Sequence, residues 1–203
     1  MRASIALLLL AACGGGSTPP PENAGEVEPY PTVLATPSSF GADFAMEQDV
    51  TMRYPQGEEH FRGVLQKQGD ELILVGLAPH GGRAFVLTQR GTEVSFENFM
   101  PRELPFPPEY IFHDIHRAWF KDAPGDGAEM EGERVTEQMN GERVVERRYE
   151  RLDGRPEGAI TVRYGEGLAP GAPVTAAPPE TITIDNGWFG YSATITTRNW
   201  QAL

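Results

Sequence analysis

The feature that most constrains this chain is the recurrence of apolar residues at every second position from Asp43 to Asn98, with Glu71–Ala78 nearly all apolar, cut at short intervals by turn residues. Phe44, Met46, Val50, Met52 and Tyr54 share one parity, while Glu47, Asp49, Thr51 and Arg53 share the other. A period of two residues puts one set on each face of a strand. Pro55-Gln56-Gly57, Gly69-Asp70, Gly81-Gly82 and Gly91 break the pattern, leaving runs at Phe61–Gln68, Glu71–Ala78, Arg83–Arg90 and Thr92–Asn98. Connections this short join antiparallel neighbours, so the region is predicted to be a meander.

The pattern then changes. The segment Phe99 to Pro108 (FMPRELPFPP) holds four prolines and cannot form a central strand. Glu109 to Lys121 follows with a helical period: Ile111, Phe112, Ile115, Ala118 and Trp119 gather on one face, Asp114 and Arg117 fall on the opposite side, and His113 is expected to be solvated. Ala123 to Gly132 (APGDGAEMEG) reads as an acidic loop. Strands resume at Glu133–Met139, the Asn140-Gly141 turn, Glu142–Leu152 and Ala159–Tyr164; Gly165 to Pro179 reads as a long loop before a closing hairpin, Thr181–Asp185 with Gly190–Arg198. A mainly β domain of about nine or ten antiparallel strands must curl to bury its inner face. The expected fold is a curved sheet forming an incomplete, half barrel with one amphipathic helix as its lid.

The N-terminus constrains location. Arg2 leads into the apolar run Ala3–Leu10 and the small residues Ala11 and Ala12, as in a secretory signal. The run is about half the ~20 apolar residues that a membrane-spanning helix needs. Leu10-Ala11-Ala12-Cys13 resembles the lipobox of bacterial lipoproteins, and Cys13 is the only cysteine in 203 residues, so no disulfide can form within the chain. The expected organisation is a signal peptide over residues 1–12, a lipidated Cys13 with a Gly/Pro-rich disordered tether over 13–40, and a single β-rich domain over 41–203. Composition supports the tether: GGGSTPPPENAGEVEPYP has too few apolar residues to offset its ordering entropy. Acyl chains on Cys13 would attach the domain stably to a membrane. Gly14 stands where the inner-membrane retention signal of enteric bacteria has aspartate. That resemblance implies the outer membrane, at its periplasmic face.

The run GDELILVGLAPHGGRAFVL, leading through the proline-rich segment into PPEYIFHDIHRAWF, resembles a bacterial lipoprotein family associated with aryl-polyene biosynthesis clusters. With the lipobox, this meander also resembles the LolA/LolB class of lipoprotein carriers and receptors. That resemblance implies an incomplete barrel, a helical lid, an apolar cavity for acyl chains, and a periplasmic carrier as a partner.

Removing Arg2 with the signal takes the formal charge from −12 to about −13. An acidic surface is repelled by phosphate backbones and anionic headgroups, which argues against nucleic acid as a partner. No Gly-x-Ser-x-Gly elbow occurs, acylated Cys13 is no nucleophile, and Gly76–Gly82 joins two strands rather than opening a helix, so no enzyme activity is expected. His113 and His116 lie three apart, but a metal site needs a third ligand, with nothing nearer than His60 or His80, and neither metal nor cofactor is expected. The aromatic-rich residues Phe85, Phe96, Phe112, Trp119 and Trp188, with Ile115, are candidates for a lipid-binding cavity, although for any one of them a solid core is the commoner outcome. Apolar residues in the proline-rich segment are more informative: Phe99, Met100, Leu104 and Phe106 are candidates for the cavity rim or a bilayer contact, the alternative being that the segment folds back over the sheet edge. The expected function is binding of an acyl chain of up to palmitate length, or of a lipidated client, by apolar burial. The alternative is a non-enzymatic scaffold lipoprotein with a filled core.

Overall fold

A computed structural model describes residues 30–101, 104, 106–119, 125–168 and 178–203. Cys13, the signal segment and most of the expected tether lie outside these residues. The strands are β1 (Phe44–Tyr54), β2 (Gly57–Gln68), β3 (Glu71–Leu77), β4 (Arg83–Arg90), β5 (Glu93–Asn98), β6 (Glu129–Met130), β7 (Glu133–Asn140), β8 (Arg143–Arg151), β9 (Ala159–Leu168), β10 (Thr181–Asn186) and β11 (Tyr191–Ala202). They form one sheet of 11 strands in the order β5-β4-β3-β2-β1-β11-β10-β9-β8-β7-β6. Every pairing is antiparallel, and closure of the meander comes from β1 against β11, with Val50 opposite Ile195 and Met52 opposite Ala193. The two outermost strands, β5 and β6, do not pair with each other, so the sheet is an open, curved half-barrel.

Alternation explains which face is buried. Phe44, Met46 and Met52 of β1, Leu65 of β2, Leu72 and Leu74 of β3 and Leu87 of β4 point inward, as do Ile182 and Ile184 of β10 and Ile160, Val162 and Tyr164 of β9. The one α-helix among the described residues, α1 (Glu109–Trp119), occupies the concavity. Side chains converge on it from across the sheet: Gln89 of β4, Tyr149 of β8, Tyr164 of β9, Asn186 of β10 and Tyr191 of β11. The hydroxyls of Tyr149 and Tyr164 donate to the carbonyls of Arg117 and Ala118 at 3.2 and 3.1 Å. These carbonyls belong to the last turn, which has no helical partner for them, so the sheet supplies the cap. No helix among the described residues is long and apolar enough to cross a membrane.

Two differences from the sequence reading stand out. Packing begins before residue 41: Leu34 and Phe40 are buried, Pro37–Phe40 forms a 3-10 turn, and Gln89 of β4 donates to the carbonyl of Ala35 at 2.7 Å. Residues 30–40 therefore form a strap across the helix. Second, the polar face of α1 is not solvated, because His113, Asp114 and Arg117 are all buried beneath that strap and the ends of β7, β10 and β11. Helical periodicity reports where the apolar stripe lies and is silent on what covers the other side.

Candidate functional site

The concave face is filled unequally. Beneath α1, Phe40, Phe112, Ile115, Ala118 and Trp119 pack into a continuous core with the inward residues of β9 and β10. At the end of the sheet where the β1–β2 and β3–β4 turns lie, packing stops short and an apolar cleft of about 370 Å³ remains. Its floor is Met52, Phe61 and Phe85 from three different strands, and its far wall is Ile111 of the first helical turn. Ala78 and Pro79 of the β3–β4 turn close one side, and Met100, Pro101, Leu104 and Phe106 of the proline-rich segment close the other. Tyr54, Glu59 and His60 add polar groups at the lining, with the Tyr54 hydroxyl donating to Glu59 at 3.0 Å.

Local sequence explains the shape. Gly76 on β3 stands opposite Phe85 on β4, and the Phe85 ring lies over the glycine so closely that a Cβ there would be 2.3 Å from a ring carbon. The ring is held edge-on against Phe61, with centroids 5.2 Å apart. Phe106 is anchored from the other side by stacking on Tyr191 at 4.5 Å. Prolines 101, 107 and 108 keep this part of the segment out of helix and sheet geometry, so its apolar side chains can turn over the opening.

The candidate residues thus separate. Phe85, Met100, Leu104 and Phe106 come together around the cleft. Phe96 on the edge strand β5 backs Phe85 at 6.0 Å without lining the cleft. Phe112, Ile115 and Trp119 lie in the packed core, and Trp188, in the β10–β11 turn, packs against the Arg117 guanidinium at 5.2 Å. Phe99 sits outside, 48% exposed, with the Arg83 guanidinium 4.8 Å above its ring. Sequence reasoning did not single out Met52, Tyr54, Phe61 and Ile111; the usable signal was inward parity at strand ends adjoining the turns.

The buried polar face of α1 is a network of its own. Asp114 accepts from the Tyr191 hydroxyl at 2.6 Å and from Asn186 at 3.2 Å. Burial pushes its carboxyl above the usual range, opposed by the Tyr191 hydrogen bond and by Arg117. Arg117 donates to Glu133 and to the Tyr30 hydroxyl, both at 2.6 Å. Burial works against its charge, but Tyr30, Glu133 and Asp114 outweigh burial and hold the guanidinium protonated. His113 stacks flat on Tyr30, with centroids 3.7 Å apart, and burial together with Arg117 lowers its pKa to about 3. His116 is lowered to about 4 by the same two causes; its Nε2 donates to Gln89 at 2.9 Å and its Nδ1 faces Ser39 at 3.5 Å. The two imidazoles have separate neutral partners, and no cluster of metal-ligating side chains occurs among the described residues.

The profile of a family described as "Protein of unknown function (DUF3261)" matches residues 45–199, which span the whole sheet but its extreme ends and include every described residue of the cleft. The chain belongs to the DUF3261 family. No curated protein matches this DUF3261 chain. Among solved structures, it is similar to a domain from Vibrio parahaemolyticus described as an outer membrane lipoprotein-sorting protein domain, at 10% identity and a TM-score of 0.43, covering 79% of this chain and 85% of that one. It is also similar to a LolA superfamily protein from Nitrosomonas europaea, at 11% identity and a TM-score of 0.43, covering 79% and 86%. A DUF1329 family protein from Desulfovibrio piger aligns at 10% identity with a TM-score of 0.27, covering 79% and 85%.

Proposed function

We propose that this protein is an outer-membrane lipoprotein, anchored through Cys13 at the periplasmic face, whose half-barrel takes up one acyl chain of a lipid or of a lipidated client. The observation that carries the reading is the apolar cleft of about 370 Å³ beside the proline-rich segment, a volume within the ~300–1,000 Å³ range of ligand pockets. Its lining is apolar on all sides apart from Tyr54, Glu59 and His60, which suits a hydrocarbon tail held by burial rather than by covalent chemistry. Each methylene transferred from water contributes ~0.8 kcal/mol, so a partly inserted chain gains several kcal/mol without a polar anchor. Client exchange with a periplasmic carrier belongs to the same proposal.

The test is native mass spectrometry of the protein lacking residues 1–13, with titration of a fluorescent C16 fatty acid. Co-purified lipid or saturable binding is expected, weakened about tenfold or more by Leu104→Glu or Phe106→Glu, because a buried charge opposes an apolar ligand. A well-folded protein that carries no lipid and shows no saturable binding refutes the reading. One observation favours the scaffold alternative: the helix is buried on both faces, and most of the concavity is filled. That alternative predicts the same negative result.

A further inference from the structure

We propose that the cleft end of the half-barrel lies on the bilayer, with Phe99 and the neighbouring proline-rich segment dipping into the headgroup region. The inference rests on the lipid attachment at Cys13 and adds an orientation to it. Strand directions fix the two ends of the sheet: β1 ends and β2 begins at one end, where β5 and β10 also finish, so the cleft, the proline-rich segment and the β10–β11 turn share that end. The chain arriving from Cys13 enters there too. Tyr30 packs against Phe189 of the β10–β11 turn at 5.4 Å and against Tyr110 of the first helical turn at 5.0 Å. Ile111, the next residue, is a wall of the cleft.

The backbone from Cys13 to Tyr30 reaches at most ~60 Å, so the anchor permits this end to touch the membrane without forcing it. Single apolar side chains, Met139 and Leu203, are exposed at the other end too, so the choice rests on Phe99 adjoining the cleft. Phe99 is a large apolar side chain left half in solvent, and the guanidinium over its ring belongs to Arg83, a long side chain that can place its stem in the interface and its charge in the headgroups. Met100 and Pro101 continue the apolar surface toward the cleft mouth. A cleft opening onto the bilayer would receive a chain from the membrane with little of it crossing water.

The experiment uses acylated full-length protein in phosphatidylcholine vesicles. Since Cys13 is the only native cysteine, a second one can be labelled selectively with an environment-sensitive dye. Labels are placed by Phe99→Cys, by Pro101→Cys, which keeps Phe99, and by Glu142→Cys in the β7–β8 turn at the other end of the strands. The expected result is blue-shifted emission at 99 and 101, quenched at least about threefold more by a bilayer-resident quencher than emission at 142. Water-like emission at 99 and 101 in the bound protein overturns the proposal, as does burial of 142, or protection at 99 that needs an added protein partner. Acyl binding is scored separately on the soluble form. Interfacial labels without acyl binding sink the function above and leave the orientation standing; the converse result sinks only the orientation.

Discussion

Adding a single methyl group at Gly76 tests how the cleft is built. A Cβ at this position would meet three atoms of the Phe85 ring at 2.3 to 2.7 Å, closer than atoms can approach, so the ring must move. It cannot retreat along the sheet, because Phe61 stands edge-on at 5.2 Å and Phe96 lies at 6.0 Å. The space available is the cleft itself. Overpacking of this kind costs about 1–3 kcal/mol. Alanine also restricts the unfolded chain, which returns roughly 0.4–1 kcal/mol. A net loss of about 1–2 kcal/mol is expected for Gly76→Ala, with a fall in Tm of a few degrees for a domain of this size. In a Phe85→Leu background the obstructing ring is gone, and the same substitution should be close to neutral. The double-mutant cycle should therefore show a coupling of about 1–2 kcal/mol in urea unfolding, at unchanged m-value. Equal costs of Gly76→Ala in both backgrounds would refute the account of the cleft floor. A tighter fatty-acid affinity in the single variant would refute the inference that the displaced ring enters the cleft.

Two further predictions concern the covered face of α1. His113 and His116 are lowered to about 3 and about 4 in the folded protein, against about 6.5 unfolded, so as pH falls the unfolded chain takes up protons first. Stability should be complete above pH ~6.5 and decline toward pH ~4 at about 1.4 kcal/mol per unit for each histidine, while Asp114, raised by burial, acts with the opposite sign and flattens the acid end. Urea midpoints measured from pH 7 to pH 5 should show this slope, and a His113→Gln/His116→Gln double variant that loses stability as steeply would exclude these residues as its source. A chain beginning at residue 41 loses buried Leu34 and Phe40, each contributing about 1.5–3 kcal/mol, and strips Arg117 of Tyr30. It should be less stable by at least about 3 kcal/mol than a chain beginning at residue 30, a difference visible in calorimetry; equal stability would show that the strap contributes nothing.

The strands were legible because their physics is local. Alternation at Phe44–Tyr54, glycine turns and the Asn140-Gly141 hairpin are written in consecutive residues, and so is the apolar stripe of α1. The proline-rich segment was informative for a related reason, since Leu104 and Phe106 are apolar where local structure gives them nothing to do. What covers Asp114 and Arg117 was not legible. Their partners, Tyr30, Glu133, Asn186 and Tyr191, are brought together only by the order of strands in the sheet, up to 87 residues away along the chain for the Tyr30–Arg117 contact. A polar residue facing away from the apolar stripe looks the same in sequence whether water or a tyrosine hydroxyl lies beyond it. The strap was missed because Tyr30, Leu34 and Phe40 are sparse apolar residues beside a segment rich in glycine and proline.

A helix clamped on every side behaves as a keystone and not as a door. To swing α1 aside, the protein would have to bare Asp114 and Arg117 and break the tyrosine contacts that hold its final turn. On the function proposed above, an acyl chain would then have to thread in lengthwise through the mouth, tail first. Whatever that tail is joined to would stay in the open, and its bulk would place no demand on the interior.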